Sequence, residues 1–177
     1  VGGYPLWEKE SLKTEDNPLA PYNVTQPRIL KKFPDRDLSF SGRLLGGCVD
    51  CLINMAGTRF DKTAAFAHKY REDGVLWFLE ACDLNVFSIR RAMWQLEQAG
   101  WFSHASGFLI GRPLNGQEMM GLDACHAILE AASRHDVPVI MDVDLGHLPP
   151  MMPLIAGSLA RVSCAGNDIR IDMKLQP

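Results

Sequence analysis

Short apolar runs alternate along this chain with longer stretches in which apolar residues return every three or four positions. Val75-Leu76-Trp77-Phe78-Leu79 and Pro138-Val139-Ile140-Met141 are brief, apolar and bounded by polar or turn residues, the pattern of buried strands. Gly107-Phe108-Leu109-Ile110 is a third such run. Between the first and the third, Val86, Ile89, Met93, Leu96 and Ala99 recur at helical spacing, with Asn85 or Ser88 as the cap and Gly100 as the stop. Further helices are expected over 48–56, where Gly57 supplies the terminator, over 64–70 and over 122–134. Two last strands, 159–163 and 169–173, flank the turn Gly166-Asn167-Asp168. Strands that alternate with helices predict an α/β domain whose core strands are largely parallel.

Residues 1–40 differ in texture. Trp7-Glu8-Lys9-Glu10 and Lys13-Thr14-Glu15-Asp16-Asn17-Pro18 are polar, and prolines recur from Pro5 to Pro34. This stretch reads as a connector lying on the surface, with one strand at 28–33, and residues 41–177 as the compact domain. The chain opens on Val1 without an initiator methionine, as expected of a piece of something longer.

Composition narrows the class. With 177 residues, 47% apolar and 22% charged, the chain suits one soluble globular domain with a substantial core. A net charge of −3 offers no footprint for nucleic acid and no polybasic membrane patch, and no run is long enough to span a membrane. Five cysteines, an odd number lying mostly inside expected elements, suit reduced thiols in a cytoplasmic protein.

Two polar residues stand at the ends of apolar runs. Glu80 closes Val75-Leu76-Trp77-Phe78-Leu79, and His147 follows the strand at 138–142 through Val143-Asp144-Leu145-Gly146. In an open α/β sheet, the crevice beyond the carboxyl ends of the strands is where ligands bind. A carboxylate rarely ends so apolar a strand unless something pairs with it. Together with an imidazole it forms the supporting half of a nucleophile–base–acid triad. No nucleophile accompanies them: G-x-S-x-G is absent, and Ser41, Ser106 and Ser158 merely neighbour glycines of the kind common in turns. Cys48-Val49-Asp50-Cys51 has the spacing of a redox pair or half a zinc site, but no second pair accompanies it, and two small apolar residues at the start of a helix is the reading preferred here. Asp142 and Asp144 beside His147 imitate a metal site without amounting to one. No glycine-rich phosphate cradle, cofactor site or metal site is read from the chain.

The same residues resemble the C-terminal domain of the LD-carboxypeptidase family of serine peptidases, which includes the microcin-C self-immunity peptidases. The matching fragments occur in order: Gly42-Arg43-Leu44-Leu45-Gly46-Gly47, Gly57-Thr58, Val75 through Glu80, Ile89-Arg90-Arg91 to Leu96, Gly100-Trp101-Phe102, Gly107 to Gly111, Pro138-Val139-Ile140 and Gly146-His147. The resemblance implies a swivelling β/β/α fold and a cytoplasmic, dimeric enzyme. In that family a serine of an N-terminal domain attacks the peptide, and a glutamate and a histidine from the C-terminal domain complete the triad. Carried over by motif, these are Glu80 and His147. The serine and oxyanion hole belong to the N-terminal domain, so this chain taken alone is expected to be inactive and to need that domain as its partner.

The reaction implied is removal of the terminal D-alanine from murein tetrapeptides, at a bond joining an L-centre to a D-residue, without a cofactor. Immunity-type relatives act instead on peptidyl-nucleotide antibiotics with the same triad. A non-catalytic module that binds cell-wall peptides, and a metal or thiol-redox protein using Cys48 and Cys51, are the readings from other classes. The chain departs from the family at Cys48, where asparagine is frequent, and at Ala81, where an acidic residue usually follows the glutamate. Met151, Met152 and Leu154, beside Pro149-Pro150, read as the rim of a pocket rather than an interface.

Overall fold

The computed structural model describes residues 1–176. Strands β1 (Leu6–Glu8), β2 (Val24–Pro27) and β3 (Lys31–Phe33) precede the long β4 (Leu38–Cys48). Then come α1 (Val49–Met55), α2 (Thr63–Lys69), β5 (Val75–Glu80), α3 (Val86–Gln98), β6 (Ala105–Gly111), α4 (Ala124–Ala132) and β7 (Val139–Val143). The chain closes on β8 (Leu159–Ala165) and β9 (Asp168–Lys174). The expected helices and core strands are all present, with ends shifted by a few residues.

One seven-stranded sheet runs in the order β3-β7-β6-β5-β4-β8-β9. Its centre, β4 to β7, is parallel, and β3, β8 and β9 join antiparallel at the two ends. β5, β6 and β7 carry near-continuous apolar runs because both of their faces are buried. Val75, Trp77 and Leu79 pack with the helices, together with Phe108, Ile110, Val139 and Met141. The alternate residues Leu76, Leu109 and Ile140 pack on the other face, against Ala160, Val162, Ile169 and Ile171 of β8 and β9. The helical core therefore lies on one face only, and the sheet curls to close the other with its own strands. Sheet, sheet and helix form three layers.

The helical side is centred on aromatic residues. Trp77 stacks on Trp101 with centroids 5.8 Å apart, and Phe102 meets Trp77 and Phe108 edge-on at 5.3 and 5.1 Å. Burying such rings contributes several kcal/mol in total. Asn85 caps α3 by accepting from the Ser88 amide at 3.0 Å, and Asp123 caps α4 in the same way through the His126 amide.

The first forty residues do more than cross the surface. β1 and β2 pair with each other, and β3, within the one strand expected there, adds to the main sheet beside β7. Ala20, Leu30 and, despite their charges, Glu8 and Arg28 are buried. Met152, read as a pocket rim, instead packs into the second core, while Met151 is exposed. Among the described residues, no helix is long and apolar enough to cross a membrane.

Candidate active site

Glu80 and His147 reach the same end of the sheet by different routes. Glu80 is the last residue of β5, held in parallel register with Cys48 at the end of β4. His147 stands in the loop after β7. The chain turns there through Gly146, whose φ of +91° lies in the region that side chains resist. The approach of loop to strand is close: a Cβ built on Gly111 would come 2.9 Å from the Glu80 Cβ and 2.6 Å from the Leu145 carbonyl oxygen. Small residues at both places let the His147 loop sit directly on Glu80.

The result is a contact of 2.9 Å between His147 Nδ1 and Glu80 Oε2, across 67 positions of sequence. The carboxylate side chain is only 9% exposed and the imidazole 49%, so the acid is shielded beneath a ring that remains open to solvent. With Glu80 ionised, Nδ1 donates and Nε2 is left free to accept a proton. A cleft of about 470 Å³, lined in part by Trp7, Lys31, Arg112, Asp142 and Leu148, has neither residue of the pair in its lining.

Two further acids support the pair, one for each of its loops. Asp50, in the first turn of α1, accepts the amides of Cys82, Asp83 and Leu84 at 3.0, 2.7 and 3.2 Å, pinning the loop that follows Glu80. Burial disfavours its charge, but the amides of Cys82 and Asp83 and the Cys48 thiol outweigh that, and its carboxyl is held below the usual range. Asp144, three residues before His147, is fully buried between Arg112 and Arg28. Asp144, which in sequence sits with Asp142 and His147 like part of a metal site, has guanidinium groups as its partners. Asp142 pairs with Lys31 at 3.0 Å. Among the described residues, no group of three or more His, Cys, Asp or Glu is placed to hold a metal ion.

Cys48 lies against the pair without matching the profile of a nucleophile. Burial first, then the neighbouring Glu80 and Asp50 carboxylates, push its thiol up to about 12, so it stays protonated near neutral pH. It donates to Asp50 at 3.4 Å. All five cysteines are free. Ser158 donates to the Ile155 carbonyl, and the Ser106 hydroxyl is buried without a partner.

Residues 41–162 match the family model described as the LD-carboxypeptidase C-terminal domain. No curated protein matches the chain. Among solved structures, an MccF-like protein from Streptococcus pneumoniae in complex with AMP is similar over 97% of this chain and 52% of its own, with 20% identity and a TM-score of 0.71. MccF in complex with glutamyl sulfamoyl guanosine is similar over 97% and 49%, at 18% identity and a TM-score of 0.74. A muramoyltetrapeptide carboxypeptidase from Oxalobacter formigenes is similar over 86% and 52%, at 22% identity and a TM-score of 0.62. At these identities the likeness is one of fold, and the chain spans about half the length of each of these structures.

Proposed function

Because the chain belongs to the LD-carboxypeptidase C-terminal domain family, we propose that it supplies the histidine and the glutamate of a serine carboxypeptidase whose nucleophile lies in an N-terminal domain. The observation that carries this reading is the 2.9 Å contact between His147 Nδ1 and Glu80 Oε2. Glu80 fixes the proton on Nδ1, leaving Nε2 as general base toward a serine hydroxyl. As the serine attacks the scissile carbonyl, its proton passes to Nε2, and the resulting imidazolium is stabilised by the shielded carboxylate. The same Nε2–H then protonates the leaving amine. A water deprotonated by His147 hydrolyses the acyl-enzyme and releases the serine.

The substrate proposed is a murein tetrapeptide, cleaved at the bond between an L-centre and the terminal D-alanine. The whole enzyme is proposed to act in the cytoplasm, as a homodimer, in the recycling of peptidoglycan.

The test uses the protein that carries this domain together with its N-terminal domain. His147→Ala is expected to lower turnover on a murein tetrapeptide on the order of 10⁴-fold, and Glu80→Gln to lower it less, while both variants remain folded. The 177-residue chain alone is expected to show no turnover. Undiminished hydrolysis by His147→Ala would remove the role assigned to the imidazole. Cleavage of an aminoacyl sulfamoyl nucleoside in preference to the tetrapeptide would keep the mechanism and replace the substrate.

A further inference from the structure

Asp144 is held by parts of the chain distant in sequence. Its Oδ1 accepts from Arg112 Nη2, at the end of β6, at 2.6 Å. Its Oδ2 accepts from the Tyr4 amide at 2.7 Å and from Arg28 Nη1 at 3.4 Å, both within the first forty residues. Its own carbonyl accepts the Met152 amide at 2.8 Å, beyond the His147 loop. Arg28 is tied in turn to the β8–β9 turn, donating to the Asn167 carbonyl at 2.6 Å, while the Asn167 side chain returns a bond to the Arg28 carbonyl at 2.6 Å.

The fit is built for this purpose. Gly3 lies so close that a Cβ there would fall 2.8 Å from Asp144 Oδ2 and collide with Arg28 Nη1, so a side chain at this position would have to displace the groups of the clamp itself. Two guanidinium groups facing one carboxylate, all buried, make a costly device for stability alone, since apolar residues of similar volume serve stability as well or better. What such a cluster supplies is one geometry. Only Leu145 and Gly146 separate it from His147, and Gly146 rests on Glu80.

We propose that Asp144 is a positioning residue for the His147–Glu80 pair, and that Gly3, Tyr4 and Arg28 of the N-terminal segment belong to the same device. The clamp fixes where the loop leaves β7, and so fixes the imidazole over the carboxylate. The segment that reads in sequence as a connector is thereby part of the site. The inference extends the proposed function, since its effect on turnover presumes that the pair is catalytic, but the placement of His147 can be read without any catalysis.

The experiment measures ring ¹⁵N shifts of His147 in this chain, at a pH where the imidazole is neutral, because they report which nitrogen carries the proton. Wild type is expected to hold the proton on Nδ1, and Glu80→Gln, the control, to lose that preference. Asp144→Asn preserves volume but turns an amide donor toward groups that are all donors, and the Nδ1–H preference should be lost. Arg28→Lys keeps the charge but reaches Asp144 or Asn167 and not both, and should give a smaller loss of the same sign; it decides the matter if Asp144→Asn does not fold. In the two-domain protein the same variants are expected to lower kcat on the order of 10- to 100-fold with KM little changed. A folded variant that retains the wild-type tautomer overturns the inference, whatever happens to its turnover. Intact turnover in His147→Ala would instead overturn the proposed function, leaving the tautomer measurement to judge the clamp.

Discussion

Gly146 faces Glu80 across a gap that admits no side chain: a Cβ built on Gly146 would lie 2.6 Å from the Glu80 carboxylate oxygen Oε2. The contact that makes the pair is therefore bounded on one side by a hydrogen bond and on the other by backbone. Gly146→Ala should suffer twice, from its φ of +91° and from displacing Glu80. Gly157, with φ +83° and open space around it, isolates the first effect. Backbone strain alone costs about 1 kcal/mol in Gly157→Ala, and Gly146→Ala is expected to lose about 2–3 kcal/mol in urea unfolding. Equal losses at the two positions would mean that the close approach to Glu80 is unimportant.

The thiol of Cys48 provides a second expectation. Held up to about 12 by burial and by the Glu80 and Asp50 carboxylates, it is the wrong species to attack an electrophile at neutral pH. Iodoacetamide at pH 8, followed by peptide mass mapping, should label the exposed Cys51 well before the half-buried Cys48. Cys48→Ser should retain most of the turnover of the proposed two-domain enzyme. Rapid labelling of Cys48, or its absolute requirement for turnover, would make it the nucleophile and displace the serine mechanism.

Asp50 predicts a pH dependence whose sign follows from its depressed carboxyl. A group that ionises more readily folded than unfolded stabilises the fold above the ordinary carboxylate range, and that contribution vanishes as pH falls through the folded value. Losing the charge and one of the two oxygens that accept three backbone amides should cost Asp50→Asn about 1–2 kcal/mol at pH 7. The gap between wild type and variant should close progressively below about pH 4. Urea titrations at pH 7 and pH 3 measure it, and a gap that widens in acid would contradict the assignment.

The difference between what is legible in this sequence and what is not has a physical origin. β5, β6 and β7 announce themselves because burial on both faces forces uninterrupted apolar runs. β4 does not, although it is the longest strand, because Gly42, Gly46 and Gly47 dilute its pattern. Two of those glycines have reasons that lie in the neighbouring strand: a Cβ on Gly46 would collide with the Phe78 carbonyl, and one on Gly42 would lie 3.0 Å from the Leu76 amide nitrogen. Glu80 is conspicuous as a carboxylate on an apolar strand. Asp144 carried no such mark, since its partners Arg28 and Arg112 lie 116 and 32 residues away, and an ion pair of that span leaves no local trace. For the same reason the first forty residues read as surface connector, although Arg28 and Glu8 are buried in the folded chain.

The start of α3 allows a choice that sequence left open, between Asn85 and Ser88 as its cap. The Asn85 side chain accepts from the Ser88 amide at 3.0 Å, whereas the Ser88 hydroxyl only accepts from the exposed Arg91. Asn85→Ala removes a partner from one of the helix's free amides and should cost about 1 kcal/mol, which for a chain of this size lowers Tm by about 2–4 °C. Ser88→Ala removes only a surface contact and should leave Tm within about 1 °C of wild type. Because α3 begins just beyond the loop that Asp50 pins after Glu80, fraying at its first turn is expected to loosen that loop as well. Hydrogen exchange at the amides of Cys82, Asp83 and Leu84 should therefore quicken in Asn85→Ala and not in Ser88→Ala. Equal exchange in the two variants would mean that Asp50 holds the Glu80 loop without help from the helix.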